Sequence, residues 1–137
     1  MSIWVDFDAT LNIEGLSSIL TYFLQVIKDE IILVEKIQKD IVDGKPYPPC
    51  GLEGELSGGN VSLSWTSGED ANGHRVFRRT LPDGEYAQVG DDIATPTVEF
   101  SDDTVETGNS YSYKVLAYND NGVSQYTREI GIEIPAE

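Results

Sequence analysis

Val105-Glu106-Thr107-Gly108-Asn109-Ser110-Tyr111-Ser112-Tyr113-Lys114-Val115-Leu116-Ala117-Tyr118-Asn119-Asp120-Asn121-Gly122-Val123-Ser124 is the stretch whose pattern decides the fold. Tyr111, Tyr113, Val115 and Ala117 alternate with Ser112, Lys114 and Leu116, the period of two expected of a half-buried strand. Thr107-Gly108-Asn109 forms a turn ahead of it. Asn119-Asp120-Asn121-Gly122 favours left-handed conformations and so a tight hairpin behind it. A Tyr near the start of a strand entered through a turn has the pattern of a tyrosine corner.

Outward from this strand, residues 49–135 read as short strands separated by turns. The spacing predicts strands over Asn60–Thr66, with Val61, Leu63 and Trp65 on one face, and over His74–Arg79, entered through Asn72-Gly73. Pro82-Asp83-Gly84 leads into Tyr86–Val89. Further strands are expected at Thr97–Phe100, Tyr111–Tyr118 and Ser124–Ile134. This order resembles the fibronectin type III module, especially those of bacterial and phage proteins, from about residue 46 to 135. The resemblance rests on the proline-containing entry, Trp65, the Gly73–Arg78 strand with Tyr86 after it, Thr97–Asp102, Tyr111 and the Asn119–Ser124 hairpin. It implies an immunoglobulin-like, seven-stranded β-sandwich in which Trp65 and Tyr111 are core and corner residues. His74 stands where that family often has an aromatic. No Arg-Gly-Asp tripeptide is present, so integrin binding has no basis here.

Before the sandwich the composition changes. Residues 1–45 carry eight acids and four bases; residues 46–137 carry sixteen acids and five bases. Gly44 suits a helix C-cap, and Pro46, Pro48 and Pro49 read as a stiff linker over 45–49. Residues 15–44 are expected to be a long amphipathic helix. Leu20, Ile27, Val34 and Ile41 recur at one heptad position, with Leu16, Phe23 and Ile37 beside them and Ile31 widening the stripe. Such a helix must bury several faces, against copies of itself, as a trimer or larger coiled coil, or against a host protein. Docking on the sandwich is the plainer alternative. Residues 1–14 form an arm, with Ile3, Val5 and Phe7 alternating as a short strand would. The expected architecture is mainly β with an N-terminal helix.

Bulk composition narrows function. The net charge of −15 opposes nucleic acid and anionic membranes as partners. The longest uncharged apolar-rich stretch, Gly15–Ile27, has 13 residues, too few to span a bilayer. No positively charged export leader opens the sequence. The lone Cys50 excludes an internal disulfide, and no cofactor or zinc motif is visible. His74 is the sole imidazole and falls inside a strand, which disfavours nucleophilic catalysis. Asp91-Asp92 and Asp102-Asp103 lack the spacing of a calcium loop, and the glycines from Gly51 to Gly59 lack the context of a phosphate cradle. Arg75, Phe77 and Arg79 share one strand face, a candidate contact patch on an acidic domain. Tyr86, Tyr118 and Tyr126 are candidates for stacking on sugars.

These features predict a non-enzymatic structural protein whose helix anchors while the sandwich projects. A display-type domain with no export leader fits a phage virion component, such as a decoration, neck, tail or fibre-base protein assembled in the host cytoplasm. The alternative is a bacterial extracellular module associated with carbohydrate or adhesion. Its partners are expected to be itself or other virion proteins.

Overall fold

The computed structural model describes residues 14–136. The arm expected over 1–14 therefore lies almost wholly outside the described residues, as do the side chains of Leu16, Leu20 and Phe23. The chain divides into two compact units, Met1–Lys36 and Ile37–Glu137.

Helix α1 covers Glu14–Val42. No glycine but Gly15 and no proline interrupts it, and Lys39 in its last turn complements the helix dipole. Its end is a Schellman motif: Lys45 N–H donates to the Asp40 carbonyl at 2.9 Å and Gly44 N–H to that of Ile41 at 3.0 Å. Gly44 sits at φ +82°, and a Cβ there would press on the Asn121 side-chain amide, so glycine is required twice over. The unit boundary falls inside α1, not at the prolines. Pro46 and Pro49 are buried, and Tyr47 N–H donates to the Glu69 carbonyl, so the expected linker over 45–49 is packed into the second unit. Asp40, also buried, meets Lys45 and the Gln125 amide.

Residues 50–134 form two antiparallel sheets. One joins β1 (Cys50–Ser57), β2 (Asn60–Thr66) and β6 (Glu99–Asp102) in that order. The other is built on β3 (Gly73–Thr80) and β7 (Ser110–Asn119), flanked by β4 (Ala87–Gln88), β5 (Ile93–Ala94), β8 (Gly122–Val123) and β9 (Ile130–Glu133). Taking β4 with β5, and β8 with β9, as interrupted single strands gives a seven-stranded sandwich. Strand β1 has no counterpart among the expected strands. Its two glycines, Gly51 and Gly54, hide the pattern, yet at Gly54 a Cβ would strike Leu63 and Ile130. The last strand is broken between β8 and β9. There the ladder is kept by side chains: Ala117 N–H donates to Ser124 Oγ at 2.9 Å and Val115 N–H to Thr127 Oγ1 at 3.1 Å. Strand β6 runs to Asp102, past the expected end at Phe100.

The core lies between the sheets and is filled by Leu52, Val61, Leu63, Trp65, Val76, Tyr111, Tyr113, Val115 and Ile134. The expected corner is present: Glu106 N–H donates to the Tyr111 hydroxyl at 3.0 Å. Two polar groups complicate this interior. His74 is fully buried edge-on to Trp65, ring centroids 5.5 Å apart, and neither imidazole nitrogen meets a partner among the described residues. Burial holds its pKa below 6.5. Asp102 is likewise buried, but it accepts from Arg78 Nη1 and Tyr113 Oη at 2.7 Å each and from Thr104 Oγ1 at 2.6 Å. Burial opposes its ionisation; the bonds from Thr104, Tyr113 and Arg78 outweigh that and hold its pKa below 3.8. Burial, then the bond to Asp102, pushes the Tyr113 hydroxyl far above its ordinary value, so it remains a donor.

Because His74 binds its proton more readily when unfolded, stability should fall as pH drops below 6.5; His74→Phe should erase that slope and raise stability by about 1 kcal/mol by removing unpaired nitrogens. Urea titrations across pH, with an unchanged slope below 6.5 in the variant, would contradict this. Asp102 contributes stability above 3.8 that is lost as pH falls through its lower folded value. Asp102→Asn should cost about 3 kcal/mol at neutral pH, and much less in an Arg78→Met background, measured as a double-mutant cycle in urea.

Candidate functional site: a basic and aromatic sheet face

Strands β3 and β7 pair in register from Gly73↔Tyr118 to Thr80↔Tyr111. Because side chains alternate, His74, Val76 and Arg78 face the core with Ala117, Val115 and Tyr113, while Arg75, Phe77 and Arg79 face outward with Leu116, Lys114 and Ser112. The three residues of the expected contact patch are thus on one face. Arg78, between them in sequence, points inward to Asp102, its guanidinium 4.8 Å from the Tyr111 ring centroid.

The outer face is a ladder of cations and rings. Lys114 Nζ lies between two tyrosines, 4.1 Å from the Tyr86 centroid and 3.9 Å from that of Tyr126. Arg79 stands 5.5 Å from Tyr86, and Arg75 4.6 Å from Tyr118. Phe77 meets Tyr126 edge-on at 5.4 Å. The Tyr86 hydroxyl is fixed to Ser112 Oγ at 2.7 Å, and Gly73 leaves room for the Tyr118 ring, which a Cβ would strike. Such contacts contribute about 0.5–1 kcal/mol each at exposed sites, so their main effect is to hold the cations in place. Arg75 also makes a two-pronged ion pair with Asp92, at 2.9 and 3.1 Å. The hydrogen bond to Asp92 raises the Arg75 pKa, and the reciprocal bond lowers that of Asp92. Neither Arg79 nor Lys114 pairs with a carboxylate among the described residues.

The β1–β2–β6 sheet has the opposite character. The register sets Glu53 beside Ser64 beside Glu99, and Glu55 beside Ser62 beside Ser101. These six outward residues are exposed and include no base. The short serines form a floor between taller glutamates, and Glu53, Gly54, Glu55, Ser62 and Ser64 line a shallow cleft of about 210 Å³.

Asp92 and Asp102, from the two acidic pairs singled out in the sequence, are tied into the fold by Arg75 and Arg78, and no group of acids, His or Cys able to hold a metal occurs among the described residues. Of the helix positions singled out, Ile27, Ile31 and Val34 are exposed, whereas Ile37 and Ile41 are half-buried. No described helix is long and apolar enough to cross a membrane. Lys114 was legible by parity from the same strand pattern; Asp92 was not, because its loop carries no periodic signal.

No protein-family model matches this chain. Among curated proteins, an amylopullulanase of Thermoanaerobacterium saccharolyticum is 27% identical over 77 residues, 56% of this chain and 6% of its own length. Protein sidekick-2 of Gallus gallus is 32% identical over 88 residues, 61% of this chain and 4% of its own. The chain therefore spans only a small fraction of these relatives. Among solved structures, an Fn3-like protein from Clostridium thermocellum superposes with a TM-score of 0.56 at 28% identity, covering 67% of this chain and 96% of that one. Coverage, strand order and the tyrosine corner agree: the sandwich of this protein is a domain of the fibronectin type III fold.

Proposed function

We propose that this protein is a non-enzymatic assembly and display module, with α1 as its anchoring element and the fibronectin-like domain as the part displayed. The observation that carries this reading is the apolar surface of α1. Leu24, Val26, Ile27, Ile31, Ile32, Leu33 and Val34 are 36–62% exposed within three turns. Completing the burial of seven such side chains, at roughly 1 kcal/mol each, is worth as much as the whole stability of a small domain. The heptad recurrence of Ile27, Val34 and Ile41 favours self-association, as a trimer or larger bundle. The sealed position of His74 supports a non-catalytic role.

A phage particle is the setting that best suits a self-assembling helix carrying a compact display domain, and we assign the protein to that class of virion component. A bacterial carbohydrate-associated role is the second reading, favoured by the amylopullulanase relatives. Against sugar stacking on the β3–β7 face, cations lie over the rings of Tyr86, Tyr118 and Tyr126, which a sugar would need bare.

Light scattering of the full chain tests the anchor. The expected result is a trimer or larger species that dissociates in Ile27→Asp and in Val34→Asp, with the urea midpoint of the sandwich unchanged. A monomeric unsubstituted chain would overturn the reading. Glycan-induced shifts of tyrosine fluorescence would move the case to the carbohydrate-associated alternative.

A further inference from the structure

The domain segregates its charge onto two faces. Residues 46–137 hold five bases among sixteen acids, yet Arg75, Arg79 and Lys114 stand together on the outer β3–β7 face. Packing against rings holds these cations outward, and Arg79 and Lys114 have no carboxylate of their own among the described residues. The ring faces beneath them are covered, so the group this surface can recognise is an anion. On the opposite sheet, Glu53, Glu55 and Glu99 rim a serine floor and likewise lack cationic partners among the described residues. One face carries half-buried cations set among rings and the other a shallow trough with carboxylate walls. They lie on opposite outer sides of one sandwich and so cannot meet within a copy.

We infer that the basic face of one copy docks on the acidic trough of a second copy. The contact is heterologous, joining different patches of the two molecules, so it closes into a ring or runs on as a stack. This rests on the self-association of α1 proposed above. A net charge of −15 makes free copies repel, and exposed ion pairs are individually weak. Tethering by the helices raises the effective concentration of neighbouring domains enough for such pairs to form.

Lys114 is the sole lysine after Lys45, which makes the contact readable by a carbodiimide that couples an ammonium to a touching carboxylate. The full chain is mixed from nitrogen-15-labelled and unlabelled preparations, cross-linked and mapped by mass spectrometry, with its mass followed by light scattering. The expected links join Lys114 of one isotope to Glu53, Glu55 or Glu99 of the other. Arg79→Glu, which leaves both reactive groups in place, should lower their yield at least about tenfold. Mixing Arg79→Glu copies with Glu55→Arg copies should restore the Lys114–Glu99 link. An oligomer without these links overturns the docking and leaves the helix anchor standing; a monomer without them overturns both. Binding of polygalacturonate that Arg79→Glu abolishes, with no links between copies, would also overturn it and make an anionic glycan the occupant.

Discussion

The carboxylate of Asp102 holds the two sheets in register. It leaves β6, in one sheet, and accepts from Arg78 on β3 and Tyr113 on β7, both in the other. An isolated buried carboxylate would be costly, and burial alone would drive it to take up a proton. Here its oxygens receive donors from Arg78, Tyr113 and Thr104, with the Thr104 amide adding another, so the charge persists inside. The geometry is demanding: a sheet slipped by one residue would turn Arg78 outward and leave the carboxylate unpaired. A wholly apolar core would tolerate sliding far better. The polar clasp therefore specifies one packing of the sandwich, and the parity of β3 follows from it.

That parity creates the outer face. Once Arg78 points in, Arg75, Phe77 and Arg79 must point out, and the register with β7 sets Lys114 opposite Phe77. The rings around these cations limit their freedom, and each cation occupies a ring face that a stacked sugar would use. Fold and surface are thus coupled: the residue that locks the core also decides which charges are displayed. The acidic sheet has no such organisation. Its serines and glutamates are what two-residue alternation leaves on the solvent side of β1, β2 and β6.

Much of this was legible in the sequence, and the parts that were not have identifiable causes. The strand over Tyr111–Tyr118 and the corner at Tyr111 were readable because apolar and polar residues alternate cleanly. The cap at Gly44 was readable because only glycine suits its left-handed backbone. Strand β1 was hidden, since Gly51 and Gly54 remove the alternation that marks a strand, although Gly54 is a requirement of close packing. Strand β6 appeared to stop at Phe100 because Asp102 has the look of a turn residue until its partners, distant in sequence, are known. The gap between β8 and β9 arises because hydroxyls of Ser124 and Thr127 replace main-chain carbonyls, a substitution no periodicity reports. The outer patch was found in part: three residues on one strand share a face by period alone. Parity on its own strand turns Lys114 outward as well, but its place beside Phe77 comes from cross-strand register, and that of Asp92 only from the fold.

The prolines bear most directly on where the domain begins. Read from composition, they separate helix from sandwich. In the folded protein Pro46 and Pro49 are buried, Asp40 is tied to Lys45 and Gln125, and the Gly44 carbonyl accepts from both Asn119 and Asn121. The last turn of α1 therefore belongs to the second unit. Asp40 and Gly44 reach residues far along the chain, Gln125, Asn119 and Asn121, so the boundary falls upstream of the prolines, between Lys36 and Ile37.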